Sequence, residues 1–512
     1  MTGSTPRGSH LPSTYELLTM GGDVRIELDR AEMVNKYGCR PRPDNELVPF
    51  GSATASTISE AGFLAADRVR RKMAQALRNG NAAKIYLSEI GRQCSEFVDL
   101  HGLEQLPGLQ VIASPSGTDA HMLVAKLVAA TAQAKTLAIM IQPAETGSGV
   151  ANALAGAMEP QHSAWEGSAQ SIEVRTIAIR NQDCSLRAIA AVDDDLEAMV
   201  VAAVKQYDRI LVVMTDVSKT GVLAPSPSRV LDLKRRWPDI VEILVDAAQF
   251  RLAPSTLKSY LSADCLIIVT GSKFVGGPAF SAMLLLPAVA ACRLLKQPMN
   301  SARNVPGATA AWQHQVNGVR SLYDVSNFGL LLRWEAALAE LRAFRAIPEK
   351  DVGELVRAFR DAIVSWLNDA SRFELLQQPG LHRRFTLKDE SWDCFPTIFP
   401  FLLFRTDQAR RRKPLGAEEA RRIYYQMRKS QVTGMSSGGD WKGISSVRCE
   451  LGQPVLCGEL DGTRVGALRL SLSARLIVEA INAGDRGRNL LVERGLTVLE
   501  KASFLARNAF TG

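Results

Sequence analysis

Runs of apolar residues with the length of β-strands recur between residues 100 and 270. Five such runs lie at residues 109–113, 136–141, 210–214, 241–245 and 266–269. Segments with apolar residues three and four positions apart, the periodicity of a helix, follow most of them. Residues 172–179 alternate between apolar and polar, which is typical of a half-exposed or edge strand. Strands that alternate with helices predict a mainly parallel sheet covered by helices, so the fold class is α/β.

The chain before residue 85 has a different pattern. Residues 1 to about 56 contain Pro41, Pro43 and Pro49, which block long helices and strands. We expect an irregular arm that lies on the body of the protein or on a partner subunit. A capping box at Thr57 and Glu60 then predicts the start of a helix.

After residue 325 the helical patterns become longer. They cover residues 330–345 and 352–368, and strand patterns near residues 397–404 and 466–472 follow. The sequence therefore predicts three parts: an N-terminal arm and helix over residues 1–84, a large domain over residues 85–325, and a smaller α+β C-terminal domain over residues 326–512.

Composition narrows the class of protein. With 46% hydrophobic and 22% charged residues, the 512-residue chain is typical of soluble globular proteins. The net charge of +8 is spread along the chain, and its densest basic run, residues 410–413, has no interleaved aromatic residue. The eight cysteines form no C-x-x-C pair, and Pro278 and Pro287 interrupt the longest uncharged stretch. We expect a cytoplasmic protein without a metal site, a membrane span or a nucleic-acid partner.

The clearest chemical signal follows two neighbouring apolar runs. Asp246 ends one run and Lys273 comes just after the next, so two adjacent parallel strands would deliver both side chains to one edge of the sheet. A desolvated lysine becomes nucleophilic and can form a Schiff base with an aldehyde cofactor, pyridoxal phosphate (PLP). A carboxylate at the pyridinium nitrogen keeps the PLP ring protonated. The pair therefore predicts a PLP site.

The motif D-A-A-Q at residues 246–249, followed by S-K-x-x-G-G-P at residues 272–278, resembles the fold type I PLP enzymes, in particular the class V aminotransferase and cysteine desulfurase group. The resemblance implies an aspartate aminotransferase-like large domain that binds PLP and an α-amino-acid substrate that reacts through an external aldimine. It also implies a homodimer with sites near the subunit boundary.

The resemblance assigns further residues to the site. Ser116, Gly117 and Thr118 form a small-residue turn that opens a helix, where free N–H groups can hold the cofactor phosphate. By resemblance, Thr270 and Ser272 also contact the phosphate and Gln249 contacts the phenolic oxygen of PLP. Arg469, in an R-x-S strand, binds the substrate α-carboxylate, because a guanidinium matches a carboxylate with two hydrogen bonds.

Two positions depart from the family pattern. The family places a histidine over the PLP ring where this chain has Thr146 and Gly147. Either His121, His162 or Trp165 covers the ring instead, or the site is open to a different substrate. An asparagine near the phenolic oxygen is also missing, and Asp216 or Ser218 would replace it.

The sequence leaves the reaction open. Transaminase or lyase chemistry at Cα or Cβ is the first hypothesis. A cysteine desulfurase-like C–S lyase is the second, but residues 435–440 lack the loop cysteine of that group, so Cys449 or Cys457 would have to serve. The third is a cofactor-free scaffold or a nucleic-acid-binding protein that has kept the fold.

Overall fold

The computed structural model describes residues 11–132, 135–156, 172–295, 326–383, 391–406, 411–430 and 441–508. In these ranges the α-helices are α1 Thr14–Leu18, α2 Glu60–Ala76, α3 Ala82–Leu100, α4 Gly117–Ala129, α5 Val150–Leu154, α6 Ile189–Ala203, α7 Pro227–Arg236, α8 Pro254–Ser262, α9 Ala288–Leu295, α10 Phe328–Arg345, α11 Glu349–Asp369, α12 Ala417–Gln426, α13 Trp441–Ser446, α14 Ala474–Asn482 and α15 Gly484–Asn508, with a short 3₁₀ helix at Trp392–Cys394. The strands are β1 Leu47–Pro49, β2 Gln110–Ser114, β3 Thr136–Ile141, β4 Ile172–Ile177, β5 Arg209–Thr215, β6 Val241–Ala247, β7 Leu266–Thr270, β8 Ala282–Leu286, β9 Phe373–Leu375, β10 Ile398–Thr406, β11 Arg412–Pro414, β12 Arg448–Glu450, β13 Gly452–Leu460 and β14 Thr463–Ser471.

A seven-stranded sheet forms the centre of the larger part. Its strand order is β2-β8-β7-β6-β5-β3-β4. The strands from β7 to β4 pair in parallel, whereas β8 runs antiparallel to both β7 and β2. The prediction of an α/β fold with a mainly parallel sheet is confirmed.

The apolar runs in the sequence are explained by burial on both faces of this sheet. Strands β3, β5, β6 and β7 are buried along their whole length. Helices cover both faces of such a sheet, so a central parallel strand has no polar face. The half-exposed pattern predicted for residues 172–179 matches β4, which lies at the sheet edge.

The start of α2 differs from the prediction. Ser59, not Thr57, caps the helix: its side chain accepts a hydrogen bond from the N–H of Gly62 at 2.9 Å. Thr57 Oγ1 instead accepts from the N–H of Arg40. The predicted capping box is therefore wrong in its residues. The helix begins at Glu60, directly after its cap, Ser59.

The C-terminal part contains an antiparallel sheet in the order β11-β10-β14-β13, with β9 on β10. A second apolar core lies between this sheet and helices α11, α14 and α15. Helix α10 packs mainly in the core of the large sheet through Leu330, Trp334 and Leu338. The division into three parts stays a prediction, and this packing favours a boundary near residue 346 over one at residue 326.

The N-terminal arm lies on the body of its own chain. Strand β1 pairs in parallel with β12, and the N–H of Ser471 donates to the carbonyl of Phe50 at 2.9 Å. The buried guanidinium of Arg251 donates to Ser52 Oγ at 3.1 Å and to the carbonyl of Leu472 at 2.7 Å. The arm is thus fixed between the two cores. No helix in the ranges given above is long and apolar enough to cross a membrane.

Candidate active site

A cavity of about 300 Å³ opens at the carboxyl ends of the parallel strands, the edge where ligands bind in open α/β sheets. Nine residues that the sequence assigns to a cofactor or substrate line it: Ser116, Gly117, Thr118, Asp246, Gln249, Thr270, Ser272, Lys273 and Arg469. They come from segments more than 350 positions apart in the chain. The fold therefore brings together residues that were selected one motif at a time.

The loop that carries Lys273 is held tightly against α10. A Cβ atom on Gly277 would lie 2.7 Å from the Cβ of Ala337, and one on Gly271 would lie 2.5 Å from the same atom, so both positions require glycine. Gly276 has a φ of +95°, which favours glycine. The N–H of Gly277 donates to the carbonyl of Gly271 at 2.8 Å and closes the loop. The Gly-Gly-Pro motif thus fixes the position of the lysine.

The amine of Lys273 faces the cavity without a hydrogen-bond partner in the part of the chain that the structure describes. Burial lowers its pKa to about 8, and the positive charges of Arg469 and Arg251 act in the same direction. The Asp246 carboxylate opposes them. A lysine with this pKa is substantially neutral in mildly alkaline solution, which is what a nucleophilic amine requires.

Asp246 is the second-last residue of strand β6, beside β7, and is 4% exposed. Burial raises the pKa of its carboxyl group, but the nearby His121 and Lys273 and the N–H of Ala248 outweigh burial and hold the pKa below its ordinary value. His121 Nε2 lies 3.5 Å from Asp246 Oδ2, and His121 Nδ1 is bonded to the carbonyl of Gly117 at 2.7 Å. The structure thus keeps a buried anion at the cavity wall.

One end of the cavity is suited to a phosphate. Ser116 caps α4, and the first N–H groups of the helix, those of Gly117 and Thr118, have no intrahelical acceptor. Thr270 and Ser272 add hydroxyl groups from the adjacent loop, where Thr270 Oγ1 donates to the carbonyl of Ala248 at 2.7 Å. A Cβ on Gly117 would meet nothing closer than 3.8 Å. There is space beside the turn for an anion.

The arm adds a cation to this end, which the sequence did not reveal. Arg25 Nη1 lies 3.4 Å from Thr118 Oγ1, and its guanidinium is held by Asp23 and stacks over the ring of Phe280. Tyr37, also from the arm, lines the same cavity. No local pattern in residues 1–56 distinguishes Arg25 from other arm arginines, because its role depends on where the arm folds.

The arm also contacts the predicted phenolic-oxygen ligand. Gln249 Nε2 donates to the carbonyl of Ala53 at 3.1 Å. Its Oε1 is buried and has no partner in the described ranges. Gln249 is therefore held in place by the arm at the cavity wall.

Arg469 on strand β14 is 2% exposed and carries no carboxylate partner among the described residues. Its N–H groups donate to the carbonyls of Ala53, Lys219 and Gln453 and to Thr54 Oγ1, at distances of 2.7 to 3.3 Å. Burial lowers its pKa to about 10. The guanidinium is fixed at the cavity wall while its charge is left unneutralised.

The structure does not place the predicted asparagine substitutes on the cavity wall. Ser218 Oγ donates to Glu145 Oε2 at 2.8 Å. Asp216 forms a buried ion pair with Arg383 at 2.5 Å and accepts from the hydroxyl of Tyr260. Both polar groups are engaged elsewhere, so neither residue fills the role of the missing asparagine. Ser218 instead supports Glu145.

Two residues that the motifs did not single out stand beside Arg469. Glu145 is buried and holds Arg180 at 3.0 Å, and it also accepts hydrogen bonds from Thr220. Lys219 donates from Nζ to the carbonyl of Ala144 at 3.2 Å and from its backbone N–H to the carbonyl of Glu145. Burial lowers the pKa of Lys219 to about 8, with Arg469 and Lys273 adding to the effect.

Neither cysteine proposed for a desulfurase lines the cavity. Cys449 is fully buried and its thiol donates to the carbonyl of Met427, while the thiol of Cys457 faces the carbonyl of Val455 at 3.1 Å. Burial raises the pKa of each to about 12, so both are protonated thiols rather than nucleophilic thiolates. The structure therefore gives no support to either as a catalytic cysteine.

Of the three candidates for covering the PLP ring, only His121 lies among the described residues. His121 lies at the cavity, but its ring is held between the carbonyl of Gly117 and the carboxylate of Asp246. His162 and Trp165, like the loop at residues 435–440, lie outside the described residues. Thr146 and Gly147 themselves form part of the wall.

No family model and no curated protein matches the chain. Solved structures resemble it over most of its length. They include Oryza sativa TDC with PLP and tryptamine (13% identity, 90% of this chain and 84% of that one, TM-score 0.48) and Rhodiola rosea 4-hydroxyphenylacetaldehyde synthase (11%, 88% and 83%, 0.48). A NifS-like protein from Rickettsia africae is similar at 13% identity, over 89% of this chain and 99% of that one, with a TM-score of 0.46. At these values the likeness assigns no activity.

Proposed function

We propose that this protein is a PLP-dependent enzyme that acts on an α-amino acid, with transaminase or lyase chemistry at Cα or Cβ. The observation that carries the proposal is the convergence of an amine, Lys273, and a buried ionised carboxylate, Asp246, on one cavity whose other end is suited to phosphate. The amine has no hydrogen bond to any residue that the structure describes. Each of these features alone is common in proteins. Their combination is the donor set that PLP needs.

The residues present fit the cofactor. Lys273 would hold the aldehyde carbon, Asp246 the pyridinium nitrogen, and Gln249 the phenolic oxygen. The N–H groups of Gly117 and Thr118 would hold the phosphate, with Arg25 close by. When bound, the protonated ring of PLP withdraws electrons from the bonds at the substrate Cα.

Side chains of the protein would carry out the remaining steps. Arg469 attracts and orients the substrate carboxylate through its charge, which has no carboxylate within ion-pair distance in the described ranges. Its five N–H donors are already bonded to Ala53, Thr54, Lys219 and Gln453, so the carboxylate would replace some of these hydrogen bonds. Lys273 Nζ would take a proton from the substrate Cα or return one. The arm residues Ala53 and Thr54 line the cavity beside Arg469 and hold its guanidinium.

An absorption experiment tests the cofactor. Purified protein mixed with PLP should develop a visible band at roughly 400–430 nm from the imine with a lysine. Borohydride should then fix the cofactor covalently, and peptide mass analysis should find it on residue 273. A protein that develops no band, or that is labelled only on surface lysines, would contradict the proposal. Screening amino acids for ketone, carbon dioxide and sulfide release then identifies the reaction.

The pH dependence of reconstitution follows from the pKa of Lys273. Only the neutral amine attacks the aldehyde, and a pKa of about 8 means that the neutral fraction rises with pH and is nearly complete above about pH 9. We expect the rate of band formation to rise through pH 8 and then level off, as measured by stopped-flow absorbance. A rate that continues to rise tenfold per unit to pH 10 would indicate an ordinary solvent-exposed lysine instead.

Two finer parts of the proposal rest on the motif resemblance. They are membership of the class V group and a homodimer with sites near the subunit boundary. The persulfide alternative loses support, since Cys449 and Cys457 are protonated and lie away from the cavity.

A further inference from the structure

The cavity contains more positive charge than a simple amino acid would neutralise. Its four lysine and arginine side chains are Arg25, Lys219, Lys273 and Arg469. Arg25 is paired with Asp23 at 2.7 Å. Under the proposed function Lys273 is committed to the cofactor. Lys219 and Arg469 remain, and neither has a carboxylate within ion-pair distance among the residues that the structure describes.

The acidic residues of the cavity do not compensate these two charges. The Glu145 carboxylate is the nearest acid to them, but it is occupied by Arg180 at 3.0 Å and by the hydroxyl groups of Ser218 and Thr220. Asp246 lies beside His121 and, under the proposed function, faces the pyridinium nitrogen. Because an uncompensated buried charge is unfavourable, a ligand that supplies two anionic groups at this wall gains from both cations.

Strand order places Lys219 and the phosphate end on different sides of β6. The phosphate end is built from the residues after β2 and β7, on one side of β6. Lys219 follows β5, on the other side of β6, and its Nζ contacts the loop after β3. Adjacent strands are about 4.8 Å apart, so two strand spacings, roughly 10 Å, separate β5, which precedes Lys219, from β7 at the phosphate end.

Lys219 and Arg469 are direct neighbours at the substrate end. Arg469 Nη1 donates to the carbonyl of Lys219 at 3.3 Å. Lys219 Nζ makes one hydrogen bond, to the carbonyl of Ala144, and an ammonium group has three N–H donors. Two donors of Lys219 are thus available to a ligand held by Arg469.

We propose that the substrate is an amino acid with an anionic side chain, and that Lys219 determines this specificity by binding the side-chain anion while Arg469 binds the α-carboxylate. This inference rests on the proposed function. The pKa of Lys219, lowered by burial to about 8, still leaves the amine mostly protonated at neutral pH. The second anion distinguishes this site from one in which both cations share a single α-carboxylate.

The test compares acids with their neutral amides. PLP-loaded protein is titrated with aspartate and asparagine, and with glutamate and glutamine, and affinity is read from the change in the visible band. We expect at least one acid to bind tenfold or more tightly than its amide. In Lys219→Met this ratio should fall to about twofold, with affinity for the amide little changed, whereas Lys219→Arg should keep a preference for the acid.

The thermal unfolding temperature of each variant is measured without ligand. Since Lys219→Met removes an uncompensated charge, it should not lower this temperature, and a change in specificity then cannot be attributed to misfolding. Equal affinity for acid and amide in the unsubstituted protein overturns the inference, as does an equal loss of both in Lys219→Met or no response to any of the four ligands. These results leave the visible band intact, whereas failure of the proposed function removes the band itself and the inference with it.

Discussion

Replacing Lys273 with alanine is expected to abolish the visible band that PLP gives with the protein and to reduce turnover by at least about a thousandfold, the middle of the range for loss of a positioned acid–base group. The amine has no hydrogen-bond partner in the described part of the chain, its pKa is lowered by burial, and a glycine-dependent loop holds it at the cavity. Two functions are removed together: the covalent anchor for the aldehyde and the proton carrier at Cα. Absorbance and steady-state kinetics measure the two losses separately.

The second cavity lysine provides the matched control. Lys219→Met removes an amine with a similarly lowered pKa from the same cavity, and it should leave the visible band in place because Lys219 follows β5 and not β7. A small primary amine added to Lys273→Ala should restore part of the activity, since it can occupy the space of the missing side chain. If Lys273→Ala keeps its band and Lys219→Met loses it, the assignment of the two lysines is reversed.

The sequence predicted the central strands because their signal is local. Residues 136–141 coincide with β3, and the runs at residues 210–214, 241–245 and 266–269 lie within β5, β6 and β7. A strand buried on both faces is apolar whatever its neighbours are. The position of β8 between β2 and β7 depends instead on pairing with β2, some 170 residues away, and no local pattern records that.

The site was predictable to the extent that single motifs specify it. Asp246 and Lys273 follow adjacent parallel strands, so their convergence could be inferred from strand order alone. Arg25 could not be found in this way, since its contact with Thr118 joins residues 93 positions apart through an irregular arm. Ser218 was assigned by analogy with an asparagine, but Glu145, which accepts its hydrogen bond, belongs to another loop. Lys219, one position further, carries the charge that faces the cavity.

Asp246 is the second residue whose replacement should strongly lower turnover, because of its electrostatic surroundings. Its carboxylate is buried and its pKa is nevertheless held below the ordinary value by His121, Lys273 and the N–H of Ala248. A buried anion maintained against the cost of desolvation is suited to keep a proton on the pyridine nitrogen opposite it. The neutral isostere asparagine would accept or donate a hydrogen bond there without stabilising that positive charge.

Asp246→Asn is therefore expected to lower turnover by about 30-fold to about 4,000-fold, since loss of one partner of a buried charge pair costs about 2 to 5 kcal/mol and each 1.4 kcal/mol is tenfold. The Lys273 imine should still form, so the visible band should persist with an altered position or pH dependence. Asp246→Glu, which keeps the charge, should recover part of the activity. Because asparagine also removes the charge beside His121, thermal unfolding is measured in parallel. A variant that is destabilised but turns over within threefold of the unsubstituted protein would show that Asp246 serves His121 and the fold, with no part in holding the ring proton.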